Sequence, residues 1–132
     1  MPLIARKSGE ALVIGEVVVT CLLISKRDVR LVFDLPGGVD VYRRQDLEEG
    51  HTLHRRIGRR RQARVQTLDV QCGEHVVLCD HLRSDVHVRS IGKQVVRIEV
   101  EAPQLVEVHR KEIYDAIRRE QDEDASREPR GW

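Results

Sequence analysis

Half of this chain is a degenerate copy of the other half. Gly9-Glu10-Ala11-Leu12-Val13-Ile14 returns as Gly73-Glu74-His75-Val76-Val77-Leu78, 64 positions later. Residues 29–36 return as residues 96–103, with Val29 matching Val96, Leu31 matching Ile98 and Pro36 matching Pro103. Val39-Asp40-Val41-Tyr42-Arg43 returns as Val106-Glu107-Val108-His109-Arg110, and in these last two blocks the spacing is 67. Three blocks in one order with a single insertion point to duplication rather than to chance in a valine-rich chain. The three extra residues of the second copy fall near Asp80 to Asp85, where a turn absorbs them most easily.

Each copy reads as β. Residues 11–14, 17–24 and 29–33 are short, β-branched and separated by glycine or charged turns. Val86 and Val88, then Val96, Ile98 and Val100, alternate with polar residues as strands with one buried face do. Val39/Val41 and Val106/Val108 repeat that alternation after a proline. A copy of this size is too small to bury a good core alone. The two copies are therefore expected to share one core, as one mainly β unit of two five-stranded halves.

The non-repeating segments differ. Residues 43–50 are compatible with a short helix ending at Gly50. Residues 51–65 form an arginine-rich linker with Arg55, Arg56, Arg59, Arg60 and Arg61. Residues 111–120 place Ile113, Tyr114 and Ile117 at helical spacing, so a C-terminal helix is expected there. Residues 121–132 are polar and charged and read as a disordered tail. The expected organisation is thus 1–50, first copy; 51–65, linker; 66–120, second copy with its helix; 121–132, tail.

Composition narrows the function classes. Lys plus Arg number 23 against 22 acids, a net charge of +1, so no global field draws in nucleic acid or an anionic membrane. Aromatics are 3 %, which argues against single-strand RNA binders that stack bases on aromatic platforms. No apolar run approaches the ~20 residues of a membrane span, and residues 1–7 carry no signal-peptide core. Three cysteines without framework spacing suit a reducing, cytoplasmic protein.

The sequence resembles the CsrA/RsmA carbon storage regulator family. In the first copy the likeness rests on Leu3-Ile4-Ala5-Arg6-Lys7-Ser8-Gly9-Glu10 and Leu12-Val13-Ile14-Gly15. In the second it rests on Val96 through Pro103 and on Val106-Glu107-Val108-His109-Arg110-Lys111-Glu112-Ile113-Tyr114. The resemblance implies an intertwined dimer of five-stranded subunits with C-terminal helices, here fused into a monomeric pseudo-dimer β-sandwich or barrel. A homodimer of the whole chain is the alternative. It also implies binding of GGA motifs in RNA hairpins, in messenger 5′ leaders or small RNA, to control translation or decay.

Each family site combines the first strand of one subunit with the last strand of the other. The first composite site would join Ile4, Arg6 and Lys7 to Ala102, Pro103, Val106, Val108, His109 and Arg110. Arg6 and Lys7 would hold phosphates, and Arg110 would offer a planar fork to phosphate or base edges. The second site would join residues 68–71 to residues 36–43. There Val70 and Gln71 replace the Arg-Lys pair and Asp69 adds negative charge, leaving a weaker site around Val41 and Arg43. One intact site is therefore expected.

The linker arginines read as a sequence-independent RNA patch, as a solvated connector paired with the acidic tail, or as a protein contact. Cys72-x-x-His75 with Cys79-x-His81 has a metal-like spacing, but Cys72 falls where a small apolar residue belongs, so no metal site is expected. No nucleophile–base constellation or phosphate-cradling loop is present; neither enzyme nor cofactor is expected. The competing function is a protein-interaction module on the same fold with RNA binding degraded.

Overall fold

The computed structural model describes residues 2–48, 62–80 and 82–126. The first copy contributes β1 (Leu3–Lys7), β2 (Ala11–Ile14), β3 (Val17–Leu23), β4 (Asp28–Leu35), β5 (Asp40–Arg43) and the short α1 (Arg44–Glu48). The second contributes β6 (Arg64–Gln71), β7 (His75–Cys79), β8 (Arg83–Ile91), β9 (Val95–Glu101), β10 (Val108–Arg110) and α2 (Lys111–Ser126).

The strands form two five-stranded antiparallel sheets, ordered β1-β9-β8-β7-β5 and β10-β2-β3-β4-β6. Each sheet takes its three central strands from one copy and both edge strands from the other, so the halves are intertwined. Neither copy could be removed without stripping two edges from the other's sheet. The alternation read from the sequence explains the layering. Val29, Leu31, Phe33 and Leu35 of β4 point inward with Val86, Val88, Val96, Ile98 and Val100 of the opposite sheet, all at most 2 % exposed. Val39, Val41, Val70 and Val76 extend the same core.

The duplication is visible in hydrogen bonds. Glu10 N–H donates to Lys7 O (2.9 Å) and Glu74 N–H to Gln71 O (3.1 Å). The carboxylates of Glu10 and Glu74 each accept the backbone N–H of Lys7 or Gln71 at 2.7 Å. Gly9 and Gly73 hold φ of +89° and +90°, the left-handed conformation that this turn position needs.

The insertion lies where the spacing change placed it. In the first copy Ile14 pairs with Val17 across a two-residue turn, begun by Gly15 at φ +62°, as a tight hairpin favours. In the second copy the matching pair is Leu78 and Ser84, so the β7–β8 loop carries the extra residues. A bulge at Arg89, between the pairs Val88–Ile98 and Ser90–Arg97, is a further irregularity of the second copy.

Some expectations shift. β3 stops at Leu23, leaving Ile24 in the turn and 47 % exposed. The C-terminal helix passes residue 120 and reaches Ser126, into the segment expected to be disordered. Gln121, Glu123 and Ala125 are good helix formers that carry the helix on from residue 120, past two aspartates, to Ser126. Cys72 is exposed rather than packed, and its thiol donates to Arg89 O at 3.4 Å; the buried cysteine is Cys21.

Candidate nucleic-acid interface

β1 is an edge of one sheet and β10 an edge of the other. A side-chain bridge ties the two edges together. Arg6 of β1 donates through Nη1 and Nη2 to the Glu112 carboxylate, in the first turn of α2, at 2.8 and 3.2 Å. The same guanidinium donates to Ala5 O (2.9 Å) and Ala11 O (3.0 Å). The structure therefore brings the first strand of copy one to the last strand and helix of copy two.

The bridge changes what Arg6 can do. It is 3 % exposed and four of its five N–H donors are occupied. Ile4, two residues earlier, is also buried, at 7 %. Both lie on the inward face of β1 and fix the edge rather than present cation to solvent. Glu112 remains largely solvated, yet the hydrogen bonds from Arg6 draw its carboxyl down to about 2. The pair was not foreseen, although a signal existed. In β1 the inward positions are Ile4 and Arg6, and Val70 at the matching place in β6 marks that position as interior.

The cations left for a ligand are Lys7 and Arg110. Lys7, at the end of β1, is exposed, and so is Arg110 at the end of β10. Neither side chain makes a hydrogen bond or ion pair with a described residue. Arg110 pairs in register with Leu12, next to Ala11, whose carbonyl holds Arg6, so the two cations frame one end of the edge pair. Val106 and Val108 are half-buried along β10 and its lead-in. His109 reaches Glu107 through Nε2 at 3.3 Å. Ala102 and Pro103 lie at the end of β9 and line a shallow depression with Arg44, Arg83, Asp85 and Glu101.

The pseudo-equivalent edge is built from other chemistry. Val70 stands in Arg6's place and is fully buried. Val41 is 2 % exposed, so it belongs to the core. Arg43, the mate of Arg110, donates through Nη2 to Asp69 O at 2.6 Å and lies 3.9 Å from Glu74 Oε2. Asp69 in turn receives two hydrogen bonds from Arg30, at 2.8 and 3.3 Å, which hold its carboxyl below the usual range. At this edge the basic residue is spent on internal contacts.

A third cluster, on the outer face of β7 and β8, escaped the sequence reading. His75 and His87 stack at 3.9 Å between ring centroids, and His75 Nδ1 lies 2.7 Å from Asp85 Oδ1. His75 and His87 are opposed in register; only the strand pairing reveals that. Among the described residues no group of three His, Cys, Asp or Glu side chains is arranged to hold a metal ion. His81 and the arginines 55, 56, 59, 60 and 61 lie outside the described residues. No helix among those described is long and apolar enough to cross a membrane.

The fold and the edge define a class: a duplicated, strand-exchanged β-sandwich whose β1–β10 edge carries the exposed Lys7 and Arg110. The chain belongs to the CsrA global regulator protein family, whose model matches residues 1–49 and 67–119. Membership implies RNA-binding, post-transcriptional regulation by a protein that is not an enzyme. The split match falls on the two halves found in the repeat. No solved structure matches the chain.

Proposed function

We propose that the protein binds GGA-containing RNA hairpins through the β1–β10 edge and so controls translation or stability of messenger RNA in the cytoplasm. One such site operates per chain. The observation that carries the reading is the contrast between Arg110, exposed and uncommitted, and Arg43, held by Asp69 and Glu74 at the matching place. Lys7 supplies phosphate attraction beside Arg110. Val106 and Val108 flank the bases, and backbone groups of the edge strands read the guanines. The linker arginines add sequence-independent affinity.

The test is a gel-shift titration of a GGA hairpin against the same hairpin with the motif changed. Arg110→Ala should weaken GGA binding by about 1–3 kcal/mol, as loss of a base-edge or phosphate contact does. Arg43→Ala should weaken it less. Equal losses would remove the asymmetry. A second reading, a protein-interaction module, is favoured by the internal contacts that hold Arg43 and Arg64 at the β5–β6 edge. It gains if wild-type protein shows no GGA-dependent binding.

A further inference from the structure

One buried hydroxyl breaks the internal symmetry without finding a partner. A cavity of about 280 Å³ opens at the end of the sandwich where the copies face each other. Its apolar walls come in repeat mates: Ile14 with Leu78, and Val39 with Val106. The third pair is broken, because Val17 of copy one is matched by Ser84 of copy two. Ser84 shares the inward face of β8 with Val86 and Val88 and is 6 % exposed. It lines the cavity, and among the described residues its hydroxyl has no hydrogen-bond partner. A hydroxyl taken out of water without a partner costs stability that the valine of the mate position does not. The cavity is thus apolar on its repeat-mate walls and carries one O–H that the fold leaves unmatched.

We propose that this cavity binds a small uncharged carbonyl compound, a ketone or an ester, whose oxygen accepts the Ser84 O–H. A dry apolar cavity of about 150 Å³ already accepts benzene, so this volume admits a ring or short chain with an acyl group and excludes a nucleotide. The apolar mates would cover the hydrocarbon body. A carbonyl oxygen accepts and brings no donor of its own to place. An ammonium has donors only and would leave the Ser84 O–H unmatched. A carboxylate would lose its hydration against apolar walls, with the exposed Glu16 at the rim. This site does not depend on the RNA reading, and its test does not use RNA.

The probes are acetophenone and α-methylstyrene, which share a shape and differ in C=O against C=CH₂. Each is titrated into the ¹⁵N-labelled full chain and into its Ser84→Ala variant. Saturable shifts are expected at the amides of Gly15, Val39 and Val106, in the millimolar range that so few heavy atoms can support. The quantity to compare is the ratio of the two affinities, because the unequal hydration of the probes cancels between wild type and variant. Ser84→Ala should lower affinity for acetophenone several-fold relative to α-methylstyrene. Its spectrum should stay dispersed, since Val17 shows that an apolar side chain is accepted at the mate position. Ser84→Leu should abolish the shifts from both probes by filling the cavity. An unchanged ratio in Ser84→Ala, shifts that do not saturate, or binding that survives Ser84→Leu would each overturn the proposal.

Discussion

Arg6 and Val70 occupy the same position in the two copies, and each solves the same burial problem differently. Valine buries outright. Arginine needs acceptors, and it finds them in Ala5 O, Ala11 O and the Glu112 carboxylate. The mate of Glu112 is Gln45, so the β5–β6 edge, with Val70 from copy two and Gln45 from copy one, lacks both partners. Only Arg6 of the pair is buried, Glu112 being about half exposed, and replacing a buried charge together with its partner by apolar and neutral groups of similar size is often neutral or stabilising. The double variant Arg6→Val with Glu112→Gln should therefore keep wild-type thermal stability, whereas Glu112→Gln alone should melt earlier at neutral pH. The acid response has a definite sign. The Glu112 carboxyl is lowered from 4.5 to about 2 in the folded state, so its contribution is complete above about pH 4.5 and fades as pH falls toward 2. Melting curves of wild type and Glu112→Gln should converge over that window. A gap that persists at pH 2 would show that the pair stabilises by something other than ionisation.

At the scale of elements, the repeat made most of the fold legible. Matching Gly9 with Gly73 and Pro36 with Pro103 fixed the turns, and the alternation at Val96, Ile98 and Val100 fixed the buried face. The exchange of edge strands was another matter. Periodicity says which face of a strand is buried but not which copy's sheet it joins; that came from family resemblance. The candidate site was legible in its residue types but not in their orientation. Arg6 and Lys7 are adjacent and both basic, yet alternation sends one inward and the other outward. The helix beyond residue 120 is not legible in the sequence, because Gln121, Glu123 and Ala125 favour it while Asp122, Asp124 and Ser126 do not. The matched turns give a check on the symmetry. An added Cβ meets nothing within 4 Å at either Gly9 or Gly73, so alanine there would suffer only the backbone cost of a positive φ. Gly9→Ala and Gly73→Ala should each lose about 1–2 kcal/mol by urea unfolding. A loss at one position and none at the other would mean the two turns are not equivalent in solution.

The shared core has consequences for the whole molecule. Phe33, the single phenylalanine, is fully buried among residues from both copies. Phe33→Ala should cost about 3–5 kcal/mol and should lower one common transition, because neither half retains a complete sheet alone. Two separated transitions by calorimetry would show that the halves fold independently.

Assembly follows from the same exchange of strands. All ten described strands find their neighbours within one chain: β1 on β9, β5 on β7, β10 on β2 and β6 on β4. Arg64 reinforces the exchange, donating to Val39 O (3.0 Å) and Asp40 Oδ1 (2.5 Å) and so pinning the start of β6 beside β5. A second chain could supply the same strands, and the interactions gained would be identical. The choice between closing within a chain and swapping between two therefore rests on concentration. Covalent linkage gives the partner copy an effective concentration of about the millimolar range, far above micromolar protein. The sheet edges resist further growth as well. β10 has three residues and β5 four, and short edge strands offer little template for another chain. β6 is longer and leaves Val65 62 % exposed, but Asp69 and Arg30 place charge along it. The protein should thus be a monomer in solution. Light scattering at low micromolar concentration should give a mass near the 15.2 kDa of a single chain. A mass of twice that value, stable on dilution, would show that the copies pair between chains and that each particle carries two β1–β10 edges.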